Sequence, residues 1–242
     1  MITSRRALLS GASALAALGL AGCNASRNAA NVQMAAATPA EGGFGAHAAE
    51  AEDSYTPESF STMYGAIKGD KFPVPAIRLS EIDPAFLRKL VDYPTSEKPG
   101  TIVVDPHHHY LYHVMDGGRA LRYGVGVGRA GFAWSGIAKI HNKQRWPDWY
   151  PPADMFERQP DLKKLMSHLQ SGLGMPGGPN NPLGARAMYL WQGDKDTLYR
   201  IHGTTEPRSI GKSMSSGCIR MLDQDVIHLY KRTPVGTKVV VI

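Results

Sequence analysis

Ile201-His202-Gly203-Thr204, and shortly after it Ser215-Ser216-Gly217-Cys218-Ile219-Arg220-Met221, is the stretch that organises the rest of this chain. The protein holds 2 cysteines, and Cys23 belongs to an N-terminal leader. That leaves Cys218 as the one thiol of the folded part, with His202 sixteen positions before it. A thiol needs help to become a thiolate at neutral pH, and a histidine close in space supplies it. Gly217 lets a substrate approach the backbone closely, and the N–H groups around Ser216, Gly217 and Cys218 are placed to meet a developing oxyanion. A buried, inert core cysteine is the competing reading that composition allows.

The leader sets the compartment. Ser4-Arg5-Arg6-Ala7-Leu8-Leu9 is a charged start, Ala12 to Leu20 a short apolar run, and Leu20-Ala21-Gly22-Cys23 closes it. The run is shorter than the roughly 20 residues that span a bilayer, so it reads as a secretory signal over 1–22. The arginine pair is similar to a twin-arginine signal. Leu20 to Cys23 is similar to a lipobox, which makes Cys23 the expected lipid-bearing residue. The expectation is a periplasmic, membrane-anchored lipoprotein. The full chain has 27 Lys+Arg against 21 Asp+Glu; without Arg5 and Arg6 that is 25 against 21, a net +4. A mildly basic balance without a dense basic run excludes nucleic acid as the expected partner and suits an anionic wall.

Residues 23–54 are rich in Ala, Gly and Asn, with almost no large apolar side chains, and read as a disordered tether. Residues 55–95 read as an N-terminal extension. Its first part is irregular. A short helix is expected over Ser80–Val91, capped by Asp83 with Pro84 in its first turn. From Gly100 the pattern turns to strands: 101–104, then 110–115 and 120–127 about the Asp116-Gly117-Gly118 turn, then 138–142. Asp161–Leu169 reads as a helix. Ser171 to Gly184, with five glycines and three prolines, reads as a long loop. Strands 187–191 and 198–202 pair about Gly193-Asp194. Asp223–Arg232 reads as a helix and Lys238–Ile242 as a closing strand. The expected class is mainly β.

The motif pair resembles the catalytic domain of the L,D-transpeptidases, the YkuD type, in its ErfK/YbiS/YnhG branch. The resemblance extends over about residues 96–242. It includes Pro99-Gly100-Thr101-Ile102-Val103-Val104-Asp105 and Tyr123-Gly124-Val125-Gly126-Val127-Gly128. Phe132-Ala133-Trp134-Ser135-Gly136 and Asn181-Pro182-Leu183-Gly184-Ala185-Arg186-Ala187 belong to it as well. It implies a β-sandwich with a few short helices and a cysteine cleft under a lid-like loop. It further implies Cys218 as nucleophile, His202 as base, and the Gly203 carbonyl orienting the imidazole. The implied donor is a peptidoglycan tetrapeptide stem. The acceptor is a diaminopimelate amine, a lysine of an outer-membrane lipoprotein, or water. No cofactor and no metal are implied.

Two positions depart from the commonest pattern: Ser216 stands where many members have histidine, and Arg220 where distant members have asparagine. Arg220 suits either a substrate carboxylate or a structural ion pair. Arg186, Ser215, Ser216 and Gly217 join it as candidates for substrate or oxyanion contact, with Arg186 better suited to bracing its loop. His107-His108-His109 reads as a polar hairpin, because successive strand residues face opposite ways. Trp134, Trp146 and Trp149 are candidates for the cleft mouth. An L,D-carboxypeptidase or endopeptidase on the same fold, and a non-catalytic wall-binding lipoprotein, are the rival functions.

Overall fold

The computed structural model describes residues 57–129, 134–215 and 217–242. The expected signal peptide, Cys23, the tether and Ser216 lie outside the described residues. Strands are β1 (Lys89–Asp92), β2 (Ile102–Asp105), β3 (Tyr110–Val114), β4 (Arg119–Gly124), β5 (Val127–Gly128), β6 (Gly136–Arg145), β7 (Ser167–Leu169), β8 (Gly172–Gly174), β9 (Arg186–Gln192), β10 (Lys195–His202), β11 (Ser213–Ser215), β12 (Ile219–Arg220) and β13 (Lys238–Val241). Helices are α1 (Pro57–Met63), α2 (Ala153–Arg158) and α3 (Asp223–Arg232). The molecule is therefore mainly β, with short helices.

Nine of these strands form one mixed sheet in the order β1-β4-β3-β2-β13-β6-β9-β10-β12. The β2–β13 and β10–β12 pairs are parallel and the other pairs antiparallel. Alternation sends Ile102 and Val104, Leu121 and Tyr123, Ala138 and Ile140, Met188 and Leu190, and Val239 and Val241 into one core. Each Val, Leu, Ile or Met among them stabilises the fold by roughly 1.5–3 kcal/mol.

The sheet cannot be flat. β2 and β12 stand five places apart, about 24 Å at the usual strand spacing. Yet Val104 and Val241 line the same void as Tyr199, Gly217 and Ile219, a space of about 10 Å³. Closure comes through Gly126, just past β4, which exchanges backbone hydrogen bonds with Arg220 at 2.9 and 2.7 Å. The curled sheet thus closes over its own core in the manner of a sandwich.

Two expected helices are replaced. Ser80–Val91 becomes 3₁₀ turns at Leu79–Glu81 and Pro84–Phe86, then strand β1. Asp83 does cap, accepting from the Ala85 N–H at 2.9 Å. Leu87 then turns extended, and the open edge of β4 takes up the chain in register Lys89↔Arg122 to Asp92↔Arg119. A sheet edge with unpaired backbone groups outweighs weak helical propensity. Asp161–Leu169 becomes a 3₁₀ turn, Pro160–Leu165, followed by the β7–β8 hairpin, so part of the expected 171–184 loop is strand. α1 falls in a stretch that reads as irregular.

The segment before residue 96 contributes to the sheet and to packing. Tyr64, Ile82 and Leu87 are buried with Ile210 and Leu222. Gln224 donates from Nε2 to the carbonyls of Pro75 and Gly65, at 2.8 and 3.2 Å.

Buried histidines give stability a pH dependence. Burial lowers His113 and His202 to about 4 and holds His228, bonded to the Tyr123 hydroxyl at 2.8 Å, further below its usual range. They stay neutral in the fold while the unfolded chain protonates near about 6.5, so acidification from there towards 4 favours unfolding. Asp223 and Asp225, pushed up to about 6 by burial, act the other way, gaining protons in the fold before the unfolded chain does. Three histidines displaced downward outweigh two carboxyls. The melting temperature is expected to fall between about pH 6.5 and 4, and His228→Gln to reduce that slope. A melting temperature that rises on acidification would contradict the assignment.

Candidate active site

Strands β10 and β12 run parallel in register Ile201↔Ile219 and His202↔Arg220. Ile201 and Ile219 point into the core. Alternation therefore sets Arg200 and His202 of one strand, and Cys218 and Arg220 of the other, on the opposite face. Gly217 has φ +128, a left-handed conformation that glycine adopts without strain, and it turns the chain from β11 into β12 directly before the thiol.

His202 is 4% exposed. Its Nδ1 lies 2.6 Å from the Gly203 carbonyl. A carbonyl only accepts, so the proton of the neutral ring belongs on Nδ1 and Nε2 carries the lone pair. Burial sets the low basicity of the ring. The Gly203 and Leu183 carbonyls oppose that shift, and the charges of Arg220 and Arg200 reinforce it.

Gly203 is there for space: a Cβ would run into the Asp223 carboxylate, with the Ala185 nitrogen 3.1 Å away. Asp223, the first residue of α3, accepts from the Ala185 N–H at 2.9 Å and also faces the Thr204 N–H. It ties together the two loops flanking His202, and nothing in its sequence context marks it out. Asp223→Ala leaves those N–H groups unpaired, costing about 1–3 kcal/mol. It is expected to lower kcat about ten-fold with little change in KM, while Asp223→Asn, keeping an acceptor oxygen, restores most of it. Equal kinetics for the two variants would count against the positioning role.

Cys218 is half-buried. Its Sγ lies 3.9 Å from the Leu198 carbonyl. Leu198 sits at φ +64 within the register shift of β10 between Asp196 and Arg200. A bulky residue there is a true outlier, and a bulge next to a site re-aims its neighbours. Burial pushes the thiol pKa up. The Arg200 backbone N–H and the charges of Arg200 and Arg220 pull it down, and Asp196 pushes it up. Burial thus disfavours the charged form of each group, thiolate and imidazolium alike.

The other candidates separate. Arg220 pairs with Glu206 at 2.8 Å. Arg186 requires correction as a substrate contact: it is 4% exposed, ion-paired with Asp70, and donates to the Ala185 carbonyl at 2.7 Å. Asp70 also accepts from Trp146 Nε1 at 2.7 Å, so Arg186 and Trp146 are bracing groups. Trp134 stacks on Tyr199 at 5.0 Å. His108 pairs with Asp105 and His109 with Ser213. Ser215 lies in β11. In the 171–184 stretch, Asn181 Nδ2 donates to the carbonyls of Pro147, Met175 and Pro176, pinning the loop.

A mixed sheet of this closure, with a thiol and an imidazole on one face of its parallel β10–β12 pair, defines the class: the chain belongs to the family described as the L,D-transpeptidase catalytic domain, YkuD, whose model matches residues 99–241. It is similar to "Probable L,D-transpeptidase ErfK/SrfK" of Escherichia coli K12, 30% identical over 62% of this chain and 46% of that one. It is likewise 30% identical to "Probable L,D-transpeptidase YbiS" of the same organism, over 57% of this chain and 43% of the relative. The match therefore spans less than half the length of either relative. Among solved structures, it is 48% identical to a Brucella melitensis protein described as "a Probable carnitine operon oxidoreductase caia". That match covers 68% of this chain and 99% of the other, with a TM-score of 0.45. In this chain the glycine-alternating stretch Tyr123–Gly128 runs through β4 and β5.

Proposed function

We propose that the protein is a peptidoglycan L,D-transpeptidase that forms 3–3 cross-links, or attaches a lipoprotein to the wall, through a thioester on Cys218. The observation that carries this reading is the buried His202, its Nδ1 held by Gly203 O at 2.6 Å, on the strand paired in parallel with the one that Cys218 leads. Family membership supplies the reaction class.

His202 Nε2 takes the Sγ proton as sulfur attacks the carbonyl of the third stem residue. The Gly217 and Cys218 region receives the oxyanion. Collapse breaks the C–N bond to the terminal D-Ala, which leaves with the proton from His202. An acceptor amine then attacks the thioester, His202 takes its proton and returns it to sulfur, and the free thiol is restored. Burial disfavours both charged forms, so His202 serves as a base during attack.

Incubation of the pure protein with tetrapeptide muropeptides tests the reading. Cross-linked dimers with released D-Ala support it. Tripeptides alone make water the acceptor, as in a carboxypeptidase, and overturn transpeptidation. Export and lipidation at Cys23 are part of the proposal and rest on the leader. Lipid labelling that persists in Cys23→Ala would remove the anchor.

A further inference from the structure

An open groove of about 440 Å³ lies on the outer face of β6, β9 and β10, lined by His141, Asn142, Tyr189, Trp191, Asp196 and Arg200. Its floor is aromatic. His141 stacks on Trp191, ring centres 4.1 Å apart and planes 17° off parallel. A β-bulge produces that stack. β6 and β9 keep register at Ile140↔Leu190 and resume at Asn142↔Tyr189, so His141 is the extra residue, swung onto the Trp191 ring. Tyr189 lies under the Arg200 guanidinium at 4.6 Å.

The charges of the groove are spent on each other. Arg200 grips both Asp196 oxygens at 2.8 Å. Arg200 and Asp196 are its only lining guanidinium and carboxylate. A phosphate or a peptide carboxylate calls for an uncompensated cation, and this lining offers Arg200 already neutralised. Aromatic planes edged by an amide and a closed ion pair instead match a ring with one C–H face and a rim of hydroxyls. The volume lies within the usual range for small-ligand sites, about 300–1,000 Å³. Arg200 also connects the groove to the thiol, because its backbone N–H faces Cys218 Sγ.

We infer that this groove is a saccharide subsite that holds the amino-sugar strand carrying the stem peptide under attack. The inference rests on the transpeptidase reading for its ligand, and its test separates the two. Full-length protein is titrated with a peptide-free N-acetylglucosamine tetramer, following the Trp191 indole by NMR, with Trp191→Phe to assign it. A saturable shift of that signal is expected, and calorimetric affinity for the saccharide is expected to fall about ten-fold in Trp191→Ala and in Asn142→Ala. Melting curves check that both variants fold. Turnover of glycan-free tetrapeptide is expected within about two-fold of wild type in Trp191→Ala, with kcat/KM on disaccharide-tetrapeptide down about ten-fold. No saturable shift, a calorimetric affinity unchanged in both variants, or a response to free tetrapeptide in place of saccharide overturns the subsite. Wild-type protein that binds the saccharide yet turns over neither substrate supports the groove and removes the transpeptidase reading.

Discussion

Cys218→Ala is expected to abolish both the release of D-Ala and the covalent adduct with a carbapenem, a loss of about 10³-fold or more. The adduct, seen as a mass shift on the Cys218 peptide of the wild type, is the measurement. Its absence from wild type would favour the non-catalytic reading. His202→Gln keeps a hydrogen-bonding side chain and removes the base, and is expected to slow acylation about 10²–10⁴-fold. The pH profile distinguishes the resting states. With His202 lowered to about 4 and the Cys218 thiol raised by burial, a standing thiolate–imidazolium pair is disfavoured at neutral pH. Alkylation of Cys218 should therefore climb with pH towards the thiol's elevated pKa. A plateau from about pH 5 upward would mean a preformed ion pair.

Arg88→Met is expected to be the most destabilising single change outside the hydrophobic core. Arg88 Nη1 lies 3.2 Å from Asp225, whose side chain is 0% exposed. The Tyr64 hydroxyl donates to the same carboxylate at 3.1 Å and accepts from the Arg88 N–H at 2.6 Å. Removing the guanidinium leaves a buried carboxyl that burial already pushes up to about 6. Breaking such a pair costs about 3–5 kcal/mol, or roughly 10 °C in melting temperature for a domain of this size. The double variant Arg88→Met/Asp225→Leu is expected to recover much of the loss, since an apolar pair of similar volume escapes the desolvation cost. Two single losses that simply add would show that the groups are uncoupled.

The first turn of α3 explains why these effects meet. Asp223 braces the loops beside His202, Gln224 holds the carbonyls of Gly65 and Pro75, and Asp225 takes Arg88. Three successive polar residues serve the site and the N-terminal segment from one helix end. In the sequence they read as an ordinary acidic start, because a capping pattern is local and its distant partners are not.

The strands with clear alternation, from Ile102 to Gly124 and from Arg186 to His202, were legible at once, as was α3. Sequence and structure part, or stay undecided, where a distant partner outweighs local preference. Lys89–Asp92 is helix-compatible, but β4 claims it as an edge strand. Arg186 lies in a family motif, but Asp70, 116 positions away, takes its charge. Gly126 looks like part of a strand, and it is the joint that closes the sheet onto Arg220.

Sequence by itself determined the mainly β class and singled out the thiol, the histidine and the glycine after it as candidates, because side-chain period and short motifs are properties of neighbouring residues. Only the tertiary structure decided that Arg186 braces, that Asp223 ties two loops together, and that a bulge at His141 builds an aromatic groove. Each of those depends on contacts between segments far apart in the chain, where burial and pairing set the energy and local sequence carries no mark of it.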